Sequence, residues 1–143
     1  MPNRTAQSSP AQSIRVYLVE DSTAIRERMC GLLAGLDGVE VAGEAATAAA
    51  AISGILDTHP DAVLLDLHLA AGSGIDVLRT VHPQAPGIVF IVVTNLSHSQ
   101  YRATCLEAGA SHFIDKSTEM DDLSPLLAAL VAARRQSPPQ LHV

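Results

Sequence analysis

What most limits the fold open to this chain is a pairing that recurs along it: a short apolar run, then a stretch with helical spacing. IRVYLV (14–19), AVLLDL (62–67) and GIVFIVVT (87–94) are apolar on both faces, as strands buried from both sides must be. VEVAGEA (39–45) alternates weakly, as an edge strand does, and SHFID (111–115) supplies a fifth run. Between them DSTAIRERMCGLLAGL puts Ile25, Met29, Leu32, Leu33 and Leu36 on one helical face, with Asp21 or Ser22 as N-cap and Gly38 as the stop. Residues 47–58 read as an alanine-rich helix with Ile52, Ile55 and Leu56 inward, closed by His59–Pro60. A short helix over 74–82 follows the loop HLAAGSG, and another over 97–108 ends at Gly109. The last spans about 119–135, where Pro125 either lies in the first turn or kinks it.

Five such units in alternation predict a parallel sheet covered by helices on both faces, since every parallel connection has to cross over the sheet. Right-handed crossovers leave few topologies, and 2-1-3-4-5 is a common order for five strands. The expected fold is therefore α/β: a flavodoxin-like, doubly wound (βα)5 domain. A chain of 143 residues suits one such domain, and with 3% aromatic residues its core has to be Val, Leu, Ile and Ala. Residues 1–13 read as a disordered tail and 137–143 as a flexible one, because Pro138–Pro139 cannot continue a helix. The folded part is expected to span 14–136.

Composition removes several functions. A net charge of −6, with Arg134–Arg135 the only adjacent bases, gives no footprint for nucleic acid. Cys30 and Cys105 lack metal-site spacing and read as reduced, buried thiols. His59, His82, His98, His112 and His142 have no mutual spacing of a metal site and read as surface or capping residues. No apolar stretch approaches the ~20 residues of a membrane span, and the N-terminus lacks an apolar signal segment, so a cytoplasmic protein is expected.

The chemistry lies at the strand ends. Ligands of an open parallel sheet bind at the carboxyl ends of its strands, beside the point where strand order reverses. Strand 1 ends in Glu20–Asp21, strand 3 in Asp66, strand 4 in Thr94 and strand 5 in Asp115–Lys116. In the order 2-1-3-4-5 the acids of strands 1 and 3 are neighbours. Two carboxylates about 4 Å apart repel by roughly 4 kcal/mol at an effective dielectric of 20. Lys116 can offset part of this. A hard divalent cation such as Mg²⁺, which takes carboxylates, carbonyls, waters and phosphate oxygens, can offset the rest. Helix capping explains Glu20 or Asp21 alone, but not acids on two strands with Thr and Lys on the next two.

Glu20–Asp21, DLHLAAGSG around Asp66, VVT ending at Thr94 and AGASHFIDKS leading to Lys116 resemble the receiver domain of two-component response regulators. The resemblance covers about 14–135. It implies that Asp66 is the phosphoacceptor and that Asp21 and Asp66 hold Mg²⁺ directly. Glu20 then acts partly through water, and the backbone carbonyl of His68 is a further ligand. It also implies that Lys116 and the Thr94 hydroxyl hold phosphoryl oxygens and that Phe113 is the switch aromatic. The implied donor is a sensor histidine kinase or a histidine phosphotransfer protein, in a phosphorelay. The face of helix 4, strand 5 and helix 5 would meet a target protein or a second copy, with Tyr101 and His112 as candidate surface residues. Such a chain is a signalling phosphoacceptor rather than an enzyme, and it contacts neither nucleic acid nor membrane directly.

Three positions depart from the family pattern: Ser117 where Pro commonly follows the lysine in a cis bond, Ala70 where Pro is frequent, and His68 where side chains tune phosphoryl lifetime. A non-proline cis bond costs about 3–4 kcal/mol, so the sequence leaves the Lys116–Ser117 isomer, and with it the shape of the following loop, open. The Gly72-Ser73-Gly74 segment is read as shaping the turn before helix 3. Tyr101 stands open between core packing and a partner surface. Of the other functions, a haloacid-dehalogenase-like phosphatase wants a second Asp two residues after the nucleophile, where this chain has His68. A flavodoxin-like cofactor binder needs a phosphate-cradling loop where Glu20–Asp21 would repel phosphate. The remaining alternative is a degenerate receiver that binds proteins without phosphorylation, which Ser117 keeps open.

Overall fold

The computed structural model describes residues 13–95 and 99–136. Residues 1–12 of the expected 1–13 tail, the expected tail over 137–143 with His142, and Ser97 and His98 at the expected start of helix 4 lie outside the described residues; Ser13 is described and is buried. The strands are β1 (Ile14–Val19), β2 (Val39–Ala45), β3 (Ala62–Leu65), β4 (Val89–Thr94) and β5 (His112–Asp115). The helices are α1 (Thr23–Ala34), α2 (Ala48–Thr58), α3 (Gly74–Val81), α4 (Ser99–Ala108) and α5 (Leu123–Gln136), with a 3-10 turn, Met120–Asp122, before the last. All strands are parallel, and the sheet runs β2-β1-β3-β4-β5.

Strand periodicity assigns the helices to their faces. Successive side chains of a strand point to opposite sides. Val16, Leu18, Leu64, Ile91, Val93 and Ile114 meet α1 and α5 through Met29, Leu33, Leu123, Leu127 and Val131. Tyr17, Val19, Val63, Leu65, Phe90, Val92 and Phe113 meet α2, α3 and α4 through Ala51, Ile55, Leu78, Val81 and Cys105. Two apolar faces on each central strand thus give two half-cores.

The helix ends show where local signals and packing differ. Ser22 caps α1 by accepting from the Ile25 amide, and Thr47 caps α2 likewise through Ala50. His59, at φ 49°, closes α2 in the left-handed region, ahead of Pro60. The α1 stop is Gly35 rather than Gly38, whose φ of 83° turns the chain into β2. The inward stripe of α1 is Ile25, Met29 and Leu33, spaced i, i+4, i+8; Leu32 stays 38% exposed, and Leu36 lies past the helix. Pro125 sits in the first turn of α5, where its missing N–H costs no helical bond. Cys105 is a buried free thiol, and Cys30 is a half-buried one that touches Glu44.

Gly74 opens α3 directly against the residues that follow β3. A Cβ there would overlap the Asp66 carbonyl oxygen and stand 3.0 Å from the Leu67 Cα, both backbone atoms that cannot swing aside. Gly74→Ala is therefore expected to cost about 1–3 kcal/mol despite the better helix propensity of alanine. Urea unfolding measures it; an unchanged midpoint would show that this contact relaxes freely.

Candidate functional site

Register builds the site. Val19 pairs with Leu65, so the next residues, Glu20 and Asp66, leave the sheet side by side. Backbone bonds carry the ladder one step further: Glu20 N–H donates to the Ala45 carbonyl (3.0 Å), Asp66 N–H to Val19 (3.0 Å) and Lys116 N–H to Thr94 (2.9 Å). β3 itself stops at Leu65, two residues short of the apolar run, because Asp66 and Leu67 begin the loop to α3. Glu20 (2% exposed), Asp66 (7%) and Thr94 (0%) are buried polar residues, held at the strand ends by these ladders.

Carboxylate oxygens of Glu20, Asp21 and Asp66 all lie within 4.8 Å of one another. Lys116 Nζ reaches across from β5 and donates to Glu20 Oε1 at 2.6 Å and Asp66 Oδ2 at 2.8 Å. The second oxygens also accept: Glu20 Oε2 from the Ser22 amide (3.0 Å) and Asp66 Oδ1 from the His68 amide (3.3 Å). Burial pushes the Glu20 carboxyl up, and the hydrogen bond and charge of Lys116 only partly offset this. Burial alone would pull Lys116 down, but its bonds to Asp66 and Glu20 outweigh that and keep it an ammonium ion. Three acids against one lysine leave a net negative cluster of hard oxygen donors at the mouth of an open depression of about 370 Å³. That donor set fits a Mg²⁺-sized cation and would repel an unaccompanied phosphate.

The residues singled out in the sequence divide in two. Glu20, Asp21, Asp66, His68, Thr94 and Lys116 line the same depression. Phe113 does not; it is buried on the other side of β5, 6% exposed, against α4. Tyr101 is half-buried and packs on the same half-core, and His112 is also half-buried, so neither is a freely projecting surface residue.

Arg26 was missed. Its guanidinium donates to the Glu20 carbonyl (2.7 Å) and pairs with Glu44 (3.0 Å), tying α1 and β2 to the loop that carries the acids. Asn95, just past Thr94, lines the depression and is also not singled out. No sequence spacing marks either residue.

Both departures in the loops have structural counterparts. Among the described residues there is no cis peptide bond, so Lys116–Ser117 is trans. The Asp115 carboxylate accepts from the Ser117 amide (2.8 Å) and hydroxyl (2.6 Å), while Glu119 Oε1 accepts from the Asp115 amide (2.9 Å). Ala70 and Ala71 bond through their backbones to Ala46 and Ala48, which anchors the loop that lacks a proline. Ser73 and Asp76 then form a capping box at the start of α3.

A five-stranded parallel sheet in this order, with acids and a lysine gathered at the carboxyl ends, defines a CheY-like, flavodoxin-like receiver fold. The family model for the response regulator receiver domain matches residues 16–128, and the chain belongs to that family. It is 33% identical over 110 residues to the uncharacterized transcriptional regulatory protein YhcZ of Bacillus subtilis (strain 168), covering 77% of this chain and 51% of that protein. It is 26% identical over 128 residues to the response regulator GacA of Pseudomonas viridiflava, covering 90% of this chain and 60% of that one. A crystal structure of a two-component response regulator, LuxR family, from Aurantimonas sp. SI85-9A1 superposes with a TM-score of 0.78 at 31% identity, covering 89% of this chain and 91% of that chain. The chain thus spans about half to three-fifths of the length of the curated relatives it matches. Receiver domains are signalling modules of two-component systems that interact with histidine kinases or phosphotransfer proteins. Among the described residues, no helix is long and apolar enough to cross a membrane.

Proposed function

We propose that this chain is a phosphorylation-dependent receiver in which Asp66 takes a phosphoryl group from the histidine of a sensor kinase or phosphotransfer protein. The observation that carries this reading is Lys116 Nζ lying between Glu20 and Asp66, with Asp21 in the same 4.8 Å cluster. Glu20, Asp21, Asp66 and the His68 carbonyl would hold Mg²⁺. When bound, Mg²⁺ supplies positive charge to the carboxylates and to the incoming phosphoryl oxygens. An Asp66 oxygen forms the P–O bond as the P–N bond to the donor imidazole breaks. Lys116, already an ammonium ion at 2.8 Å from Asp66, turns to a phosphoryl oxygen, and the Thr94 hydroxyl donates to another. Beyond the Asp66 oxygen that accepts the group, the protein's share is position and charge.

The receiver unit is taken as residues 14–136. A protein partner is favoured over nucleic acid because the net charge is −6. Incubation with Mg²⁺ and acetyl phosphate, followed by intact mass measurement, should give a single phosphoryl adduct. Its absence, with the protein folded, would sink the reading.

The outward signal runs through Thr94 and Phe113. A hydroxyl drawn toward the phosphate would vacate space beneath α4, into which the buried ring can turn, and packed interiors pass between discrete arrangements. The α4–β5–α5 face would then change for a target protein or a second copy. Thr94→Ala should still be phosphorylated but lose most of a coupling whose usual size is about 1–3 kcal/mol. Chemical-shift changes on beryllofluoride addition should fall within 95–117 in the wild type and shrink there in the variant. Changes confined to the loops of Glu20, Asp21 and Asp66 in both proteins would remove the switch.

A further inference from the structure

One side chain joins α4 to β5 and to the loop that leads toward α5. The Arg102 guanidinium, on α4, lies 4.7 Å from the centroid of the Phe113 ring. It points an N–H at the Phe113 carbonyl (3.5 Å) and stands 3.5 Å from Glu119 Oε1. That same Glu119 oxygen accepts from the Asp115 amide at 2.9 Å. Asp115 immediately precedes Lys116, whose Nζ is bound to Asp66 and Glu20. A continuous set of contacts therefore runs from the acids, through Lys116 and its loop, to α4.

We infer that Arg102 is a clasp that holds α4 and Phe113 in the arrangement described here and so opposes switching; this rests on Asp66 being the phosphoacceptor. With 44% of the Arg102 and 38% of the Glu119 side chain exposed, the ion pair alone is weak. The clasp draws its strength from convergence: a guanidinium offers a planar face to a ring and a fork of donors at once, which lysine cannot. The buried Phe113 ring cannot change its packing beneath α4 without leaving the guanidinium that covers it. The clasp contacts thus belong to one of the two states. Whatever factor they contribute against switching, they contribute by linkage against ligand retention at Asp66.

The test is the affinity of the whole chain for beryllofluoride in saturating Mg²⁺, with amide exchange measured without ligand. Arg102→Gln should bind beryllofluoride about fivefold or more tightly, and exchange over 112–119 should accelerate. Arg102→Lys should lie between Arg102→Gln and wild type. Glu119→Gln retains an acceptor for the Asp115 amide, so it should tighten binding less, and non-additively with Arg102→Gln. A wild type that binds, beside an Arg102→Gln that binds no tighter, overturns the clasp and leaves the phosphoacceptor reading standing. A wild type that takes up no beryllofluoride overturns both. Unchanged exchange over 112–119 in Arg102→Gln also overturns the clasp, whatever the ligand does.

Discussion

Asp66→Asn is expected to yield no phosphoryl adduct under conditions that modify the wild type fully, while unfolding within about 1 kcal/mol of it. The two halves of that expectation have separate causes. An amide has no carboxylate oxygen to attack phosphorus. Its shape is nearly that of the acid, and its oxygen can face Lys116, replacing the 2.8 Å bond. The amide nitrogen then faces the His68 N–H, forfeiting a bond that is already long at 3.3 Å. Removing one of three crowded negative charges compensates. Neither neighbouring acid should substitute: Lys116 is held by Glu20 and Asp66 rather than by Asp21, and Glu20 is the more deeply buried of that pair, 2% exposed against 7%. Intact mass after acetyl phosphate treatment, with a urea melt on the same sample, checks both halves. An undiminished adduct in the variant would move the phosphoacceptor elsewhere.

How far the sequence reveals this molecule depends on the range of the force involved. The fold was legible because two-face burial is a local property: IRVYLV, AVLL and VFIVV are apolar at every buried position, and strand parity divides those residues between two half-cores. The acidic cluster was legible because strand order makes β1 and β3 neighbours, so residues that end them meet. Contacts set by the reach of long side chains were not. Arg26 touches Glu20 and Arg102 covers Phe113 only because helix packing brings their stems close, and neither spacing is periodic. The stop of α1 was misplaced for a related reason: Gly38 looks like a C-cap, but its positive φ serves the turn into β2, where a Cβ would crowd Val131. The loop after Lys116 depends on an Asp115–Ser117 bond that a prolyl residue would have replaced by covalent constraint.

Asp21→Ala should abolish the stabilisation that Mg²⁺ gives the wild type, and so invert the order of stability of the two proteins. Lys116 bonds to Glu20 and Asp66, and among the described residues no basic side chain pairs with Asp21. Asp21 is thus the charge in the cluster that the protein itself leaves uncompensated, within 4.8 Å of two other acids. Without a divalent cation its removal relieves repulsion, on the order of 1 kcal/mol once partial exposure and screening reduce the Coulomb value. The variant should therefore melt above the wild type in chelator. With Mg²⁺ the order inverts, because a ligand at a hundred times its dissociation constant stabilises the native state by about 2.7 kcal/mol. The wild type should gain that increment and the variant almost none, so their melting curves exchange places. Acetyl phosphate should leave the variant unmodified, since the incoming phosphoryl oxygens would meet Glu20 and Asp66 with Lys116 alone to offset them. Thermal melts across a Mg²⁺ titration supply the measurement. If Mg²⁺ raises the melting temperature of Asp21→Ala as much as that of the wild type, the cation binds somewhere other than this cluster.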